Sequence, residues 1–421
     1  MSEENFFKNL TNAFDDLKLR ASYGTTGNDL DVANNRITPF SFVRKMVNGG
    51  SYMFNDRLYQ GIAPSATPNP DLTWATSASY NAGLEFTTLR GRFNGTVDVF
   101  LRKETDILGS RLVRLPDNYG QSLAPENYAA RSWRGAEFTF EWRDKAAAGK
   151  LNYSIIANMG YVRDQWDVFD EAPALGKDGL QQFESRIGRA DKRIIGLKSE
   201  GLVRTQEQLD ALKAKGFTTY GRPPYLGMIL FEDIRGNNFA PGPDGKIDAN
   251  DMQLLSENAT PRINYGLGIN LSYKNWALQT FFQGVTAYDR VISNQEGAGM
   301  RQHGGAVRPY YPIWADDVWT PETPDAKYPR PVGSNWAESG SIATDFWIRS
   351  GAYLRMKMLN LGYSLPKSWV QTIGLTSAQL YFNGTNLFSI SPMNEFHDPE
   401  QKNYDSFPLM KTFTVGADIR F

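Results

Sequence analysis

The stretch Arg92-Phe-Asn-Gly-Thr-Val-Asp-Val-Phe-Leu-Arg102 decides the fold. Phe93, Gly95, Val97, Val99 and Leu101 take every second position, and Arg92, Asn94, Thr96, Asp98, Phe100 and Arg102 take the others. Successive side chains of a strand point to opposite faces, so this spacing predicts a strand with one apolar and one wet side. Trp133–Arg143 repeats the pattern, with Trp133, Phe138, Phe140 and Trp142 read against Glu137, Thr139, Glu141 and Arg143. In Pro261–Tyr273, Ile263, Tyr265, Leu267, Ile269, Leu271 and Tyr273 oppose Arg262, Asn264, Gly266, Gly268, Asn270 and Ser272. The last stretch, Thr412–Phe421, sets Phe413, Val415, Ala417, Ile419 and Phe421 against Thr412, Thr414, Gly416, Asp418 and Arg420.

About ten such strands can be read, near 14–23, 76–89, 92–105, 131–144, 151–164, 261–273, 275–290, 351–364, 376–388 and 411–421. Short and long connections alternate between them. Long ones occupy roughly 24–75, 106–130, 165–260, 291–350 and 389–410. That rhythm puts every tight turn at one end of an up-and-down sheet, the layout of an outer-membrane barrel with short periplasmic turns and long extracellular loops. Asn, Gly, Thr and Arg on the polar sides suit a wet lumen. Trp142, Tyr273, Trp276 and Tyr363 sit by the short turns, where an interfacial girdle belongs. A soluble β-sandwich also alternates, because one face of each sheet packs on a core. The loop 165–260 is expected to carry short strands at 192–204 and 226–234 and one helix, Thr205–Lys215, with Thr205 as N-cap.

Composition narrows the function classes. Lys and Arg total 45 against 46 Asp and Glu, for a net charge of -1. A nucleic-acid binder needs a basic surface, so that class is set aside. Cys is absent, which removes disulfides, thiolate zinc sites and a cysteine nucleophile. His303 and His397 are the two histidines, too few for a multi-His metal centre. Neither sits with a Gly-x-Ser-x-Gly motif or an ordered acid pair, so no enzyme constellation is expected. No apolar run reaches the length of a membrane helix. The start, Met1-Ser-Glu-Glu-Asn-Phe-Phe, shows no basic and apolar leader, so no signal peptide is expected.

Several segments together resemble the SusC/RagA family of TonB-linked outer-membrane transporters. They include Leu17-Lys-Leu-Arg-Ala-Ser-Tyr-Gly24, Asn69-Pro-Asp-Leu-Thr-Trp74, Asn81-Ala-Gly-Leu-Glu-Phe86, Asp244-Gly-Lys-Ile-Asp248, Trp319-Thr-Pro-Glu322, Tyr353-Leu-Arg-Met-Lys357, Gly384-Thr-Asn-Leu-Phe388 and Asp398-Pro-Glu400. The resemblance implies an all-β, antiparallel transmembrane β-barrel of 22 strands with an N-terminal plug. It implies uptake of oligosaccharides or peptides, a SusD-like surface lipoprotein as lid, outer-membrane lipid around the wall, and energy from TonB. This chain matches the C-terminal part, about ten strands. Neither a plug nor a TonB-contact segment is expected within it, so TonB would act only through a missing N-terminal region, and the chain is expected to be a fragment. The alternative is a soluble extracellular carbohydrate-binding β-sandwich protein.

Three sets of residues are candidate sites. Asp233, Asp244, Asp248 and Asp251, with the Lys246 carbonyl, resemble the back half of a calcium loop, where hard oxygens surround the cation. An insertion, Phe239-Ala-Pro-Gly-Pro243, interrupts the pattern, and an exposed Asp-Gly turn reads the same way. Tyr310, Tyr311, Trp314, Trp319 and Trp336 offer aromatic faces to the C–H face of a pyranose, with Arg308, Asp316 and Asp317 near the hydroxyls; packing between loops is the alternative. Phe421 falls in register with the apolar set of the last strand and is expected to face lipid. The family resemblance adds that a terminal aromatic serves as an assembly signal.

Overall fold

The computed structural model describes residues 14–37, 40, 42–64, 67–112, 123–175, 180–292, 317–330, 343–401 and 406–421. Ten long strands form one sheet, ordered as they occur in the chain. They are β1 (Asp16–Asn28), β2 (Ala75–Thr88), β3 (Phe93–Gly109), β4 (Glu126–Ala146), β5 (Leu151–Val168), β6 (Ile263–Tyr273), β7 (Trp276–Thr286), β8 (Tyr353–Ser364), β9 (Ser377–Ile390) and β10 (Thr412–Arg420). Every neighbouring pair is antiparallel. The sheet does not close, and β1 and β10 are its edges. Among the described residues no second sheet of long strands faces it, which removes the sandwich alternative.

Register assigns the two faces. Trp142, Ile155, Ile269, Thr280, Leu359, Gly384 and Phe413 are successive partners across β4 to β10. Beside them run Tyr153, Leu271, Leu278, Leu361, Phe382 and Val415. Large side chains on this face stay open: Leu19 is 60% exposed, Val99 51% and Val415 81%. A soluble sheet would cover them; a barrel wall presents them to lipid, at roughly 1.5–3 kcal/mol for each side chain withdrawn from water. Aromatic pairs gather by the short turns, Trp276 on Tyr363 with ring centres 4.6 Å apart and Phe93 on Phe140 at 5.9 Å.

Glycines on this sheet make room for rings. Phe86 lies over its partner Gly95, where an added Cβ would come within 2.2 Å of the ring. Tyr265 covers Gly284 in the same way and donates to the Tyr353 carbonyl at 2.9 Å. On the other face Phe100 covers Gly135 and Tyr381 covers Gly416. Such pairs shield a weak point of the ladder and pin register.

Three features differ from expectation. β3 and β4 run on to Gly109 and Glu126, beyond the alternating stretches, because bulges let the ladder continue through irregular positions. Trp133 is on the polar face, partnered by Arg102 and Asp164; its odd number puts it out of phase with Phe138, Phe140 and Trp142. The β1–β2 connection carries a hairpin, Met46–Phe54 paired with Arg57–Pro64.

Beyond the end of the sheet away from the short turns, the long connections share a core of their own. Leu197, Met228, Ile229, Ile247, Ile292 and Trp347 are 0–2% exposed. The helix there, α1 (Gln206–Ala214), starts at Thr205, which accepts from Gln208 N while the Gln208 side chain returns to the Thr205 backbone. Short strands Ile194–Gly196, Ser199–Leu202 and Ile229–Phe231 flank it. Tyr328 stacks on Trp347 with ring centres 6.1 Å apart, and Arg204 Nη1 donates to the Ala326 carbonyl at 2.9 Å, so connections distant in sequence interlock.

Candidate functional site

The polar face of the sheet is the candidate surface. Arg143, Ser154, Asn270, Gln279, Asn360, Asn383 and Thr414 are successive partners from β4 to β10. Asn270 Nδ2 donates to Ser154 Oγ at 3.0 Å. The row lies one residue from the apolar row through Trp142, so one pleat sorts the wet side from the greasy one. A cavity of about 900 Å³ opens over its short-turn end, between Arg92, Glu141, Lys145, Asn152 and Gln279.

Charge on this face is paired. Arg20 on β1 reaches Asp98 on β3 at 2.8 Å and Glu85 on β2 at 3.0 Å. It passes over Gly83, where a Cβ would sit 2.3 Å from Asp98 Oδ1. Nearer the loop core, arginines and tryptophans alternate. Arg102 lies 5.1 Å from the Trp133 ring, and Arg131 lies between Trp133 at 4.8 Å and Trp166 at 5.3 Å. Arg131 also pairs with Asp164 and Asp191, and Trp166 Nε1 donates to Asp191 at 2.9 Å. Arg131 thus keeps both an aromatic face and carboxylates, whereas Arg102 Nε donates to Ser77 Oγ at 2.7 Å.

The deepest cluster joins β8 to the β9–β10 connection. Arg355 is 2% exposed. Its Nη2 donates to both oxygens of Asp398 at 2.5 and 2.6 Å, and its Nε lies 2.5 Å from Glu400. Lys357 Nζ holds Glu400 at 2.8 Å. In the sequence these two segments stand out as marks of the family resemblance. The signal was present: Arg355-x-Lys357 and Asp398-x-Glu400 carry opposite charges at the same spacing of two.

The acidic loop has its own geometry. Asp233 accepts from the backbone of Asp244 at 3.1 Å and of Gly245 at 2.7 Å. Asp244 accepts from Lys246 N at 2.9 Å, and Asp248 from Asn250 N at 2.7 Å. Asp251 is buried and takes three N–H donors, Ile234, Arg235 and Asp248, each at 3.0 Å. Burial raises its carboxyl above the usual range, with those donors pulling the other way. Lys246 sits in a two-residue strand beside Thr218–Thr219. Among the described residues no three His, Cys, Asp or Glu side chains are grouped to hold a metal ion.

Trp319 is 2% exposed in the loop core, where its ring covers Gly227. Gly227 has φ +82° and a Cβ there would meet the Trp319 ring at 2.6 Å. Trp319 therefore packs loop on loop, and its faces are closed to a sugar in this arrangement. Tyr310, Tyr311, Trp314 and Trp336, like Arg308, Asp316 and His303, lie outside the described residues. His397 sits in the β9–β10 connection, its Nδ1 2.8 Å from the Asp398 carbonyl oxygen. Phe421 is 93% exposed, directly after β10.

Comparison with known proteins places this sheet. The family model described as TonB dependent receptor-like, beta-barrel matches residues 2–387. TonB-dependent receptor P26 of Formosa agariphila is 27% identical over all of this chain and 41% of its own length. TonB-dependent receptor SusC of Bacteroides thetaiotaomicron is 25% identical over all of the chain and 39% of its own length. Among solved structures, the RagAB peptide importer in its open-open state superposes with a TM-score of 0.70 at 20% identity, covering 99% of this chain and 41% of that one. The chain thus spans about two fifths of the relatives it matches. A single meandering sheet, greasy on one face and wet on the other, is what that match requires, and the chain belongs to the TonB-dependent receptor β-barrel family.

Proposed function

We propose that this chain forms part of the wall and extracellular loops of an outer-membrane nutrient importer. The observation that carries the reading is the sheet whose open apolar face and continuous polar face alternate residue by residue over ten strands. The apolar face meets lipid; the polar face lines the lumen. The cavity over its short-turn end is a seat for the plug that the family resemblance implies. Lipid cannot satisfy the open edges at β1 and β10, so further strands from the rest of the transporter complete the barrel. The long connections then lie outside the cell, and cargo passes along the polar face without chemical change.

Cargo is an oligosaccharide or a peptide, and a SusD-like surface lipoprotein is the proposed lid. The hairpin Met46–Phe54/Arg57–Pro64 supports such a partner. Met53, Leu58 and Ile62, on one face of the hairpin, are 71–73% exposed on the extracellular side of this reading. Contiguous apolar surface of that kind marks a binding partner. The experiment is pull-down and uptake from the same cells. A lipoprotein co-purifies with the importer, is lost when Met53→Asp and Ile62→Asp are combined, and uptake of labelled glycan or peptide falls with it. Barrel assembly without any co-purifying lipoprotein or cargo uptake refutes the reading.

A further inference from the structure

The β9–β10 connection folds inward. Ser391 Oγ donates to the Ala352 carbonyl at 2.8 Å, and Arg290 Nη1 donates to the Pro399 carbonyl at 3.1 Å. Met393 is 1% exposed and Phe396 6%. Phe396 belongs to the core shared by the long loops, and the Arg349 guanidinium lies 5.6 Å from its ring. Two residues on, Asp398 and Glu400 close upon Arg355 and Lys357 of β8. One short segment therefore has its middle in the loop core and its end on the barrel wall.

The charges cancel, two cations against two carboxylates, and the central cation is buried. A buried guanidinium stripped of its carboxylates is strongly disfavoured, whereas in the closed cluster Arg355 Nη2 reaches Asp398 and Lys357 Nζ reaches Glu400. Intermediate positions of the segment are the costly ones. That makes it a two-state element, shut on β8 or released with water around both sets of charges.

We propose that Ser391–Gln401 is an ionic latch between the extracellular loop core and the lumen wall. Opening of the mouth beside β8 requires Arg355 and Lys357 to let go of Asp398 and Glu400. The proposal rests on the polar face being the lumen, and it holds for any cargo.

The chain contains no cysteine, so Met393→Cys supplies a lone reporter within it. Outer-membrane vesicles from cells expressing the protein are treated with a membrane-impermeant maleimide. With Arg355 intact the reporter labels slowly. In Arg355→Met it labels faster, on the order of tenfold, because the shut state has lost its central cation. Glu400→Gln keeps the side-chain volume and gives an intermediate rate. Should Arg355→Met fail to assemble, Lys357→Met combined with Glu400→Gln replaces it. Equal labelling in all variants, whether fast or slow, overturns the latch. The readout needs no cargo, so failure of uptake and failure of the latch are separate results.

Discussion

Arg355 and Asp398 stand 43 residues apart in the chain, yet the guanidinium of one meets both carboxylate oxygens of the other at 2.5 and 2.6 Å. β9 separates β8 from the strand that follows Asp398, so the contact is made by the β9–β10 connection leaning back across the sheet. Its burial sets its worth. Removing one partner of a buried pair costs about 3–5 kcal/mol, while an exposed pair contributes about 0–1 kcal/mol. Arg355→Ala should lower stability in urea by the larger figure. Arg20→Ala, whose side chain is 40% exposed, should fall within the smaller one. Equal losses would show that burial does not separate them.

Glycines beneath rings make a sterically defined prediction. Gly95→Val drives Cβ into Phe86, and overpacking of this kind costs about 1–3 kcal/mol. Gly24→Val meets nothing within 4 Å and should be tolerated. Outer-membrane abundance of the two variants, read from heat-modifiable bands on gels, checks the contrast.

The terminal aromatic is proposed as an assembly signal facing lipid. Phe421→Asp should reduce outer-membrane abundance severalfold, whereas Thr412→Asp, on the lumen side of the same strand, should leave it near the original level. The pairing of Thr412 with Thr385 and of Phe413 with Gly384 sets that difference in face. Equal abundance of the two variants removes the assembly role.

Lys198 and Glu232 join neighbouring short strands of the loop core at 2.6 Å. Their hydrogen bond holds Glu232 below the usual glutamate range and Lys198 above the usual lysine range. The depressed carboxyl contributes stability above its unfolded value of about 4.3, lost as pH falls through the lower folded one. The raised ammonium contributes below its unfolded value of about 10.4, lost as pH climbs through the higher folded one. Protease resistance of the loops should therefore hold between those limits and fall outside them. Glu232→Gln should flatten the acid limb, and an unchanged acid limb counts against the pair.

Calcium is proposed for the acidic loop in a form where the cation replaces backbone donors on Asp233, Asp244, Asp248 and Asp251. That exchange predicts weak binding, about 10⁻⁴–10⁻³ M, as in extracellular modules. Calorimetry on the assembled protein should show heat at millimolar calcium that Asp244→Ala abolishes. Absence of heat, or heat unchanged in Asp244→Ala, removes calcium from the reading.

Alternation made the sheet legible in the sequence. A strand's side-chain period is two whatever surrounds it, so Phe93, Val97 and Leu101 declare a face without knowing their partners. Strand order followed from the rhythm of connections, because adjacent antiparallel strands need only a short turn. The N-cap at Thr205 was legible for the same reason: it acts within four residues. Trp133 shows the limit, since one residue of phase moves a side chain to the opposite face. What only the tertiary structure decided is the meeting of segments far apart. Trp319 could have been an open platform or a packed wedge until Gly227 was found beneath it. Nothing in the sequence near Asp251 announced that Ile234 and Arg235, 16–17 residues away, turn their N–H groups to it. Arg355-x-Lys357 and Asp398-x-Glu400 stated their charges in the sequence, but charge has no direction. The fold brought them together because a buried guanidinium is stable only where carboxylates can reach it.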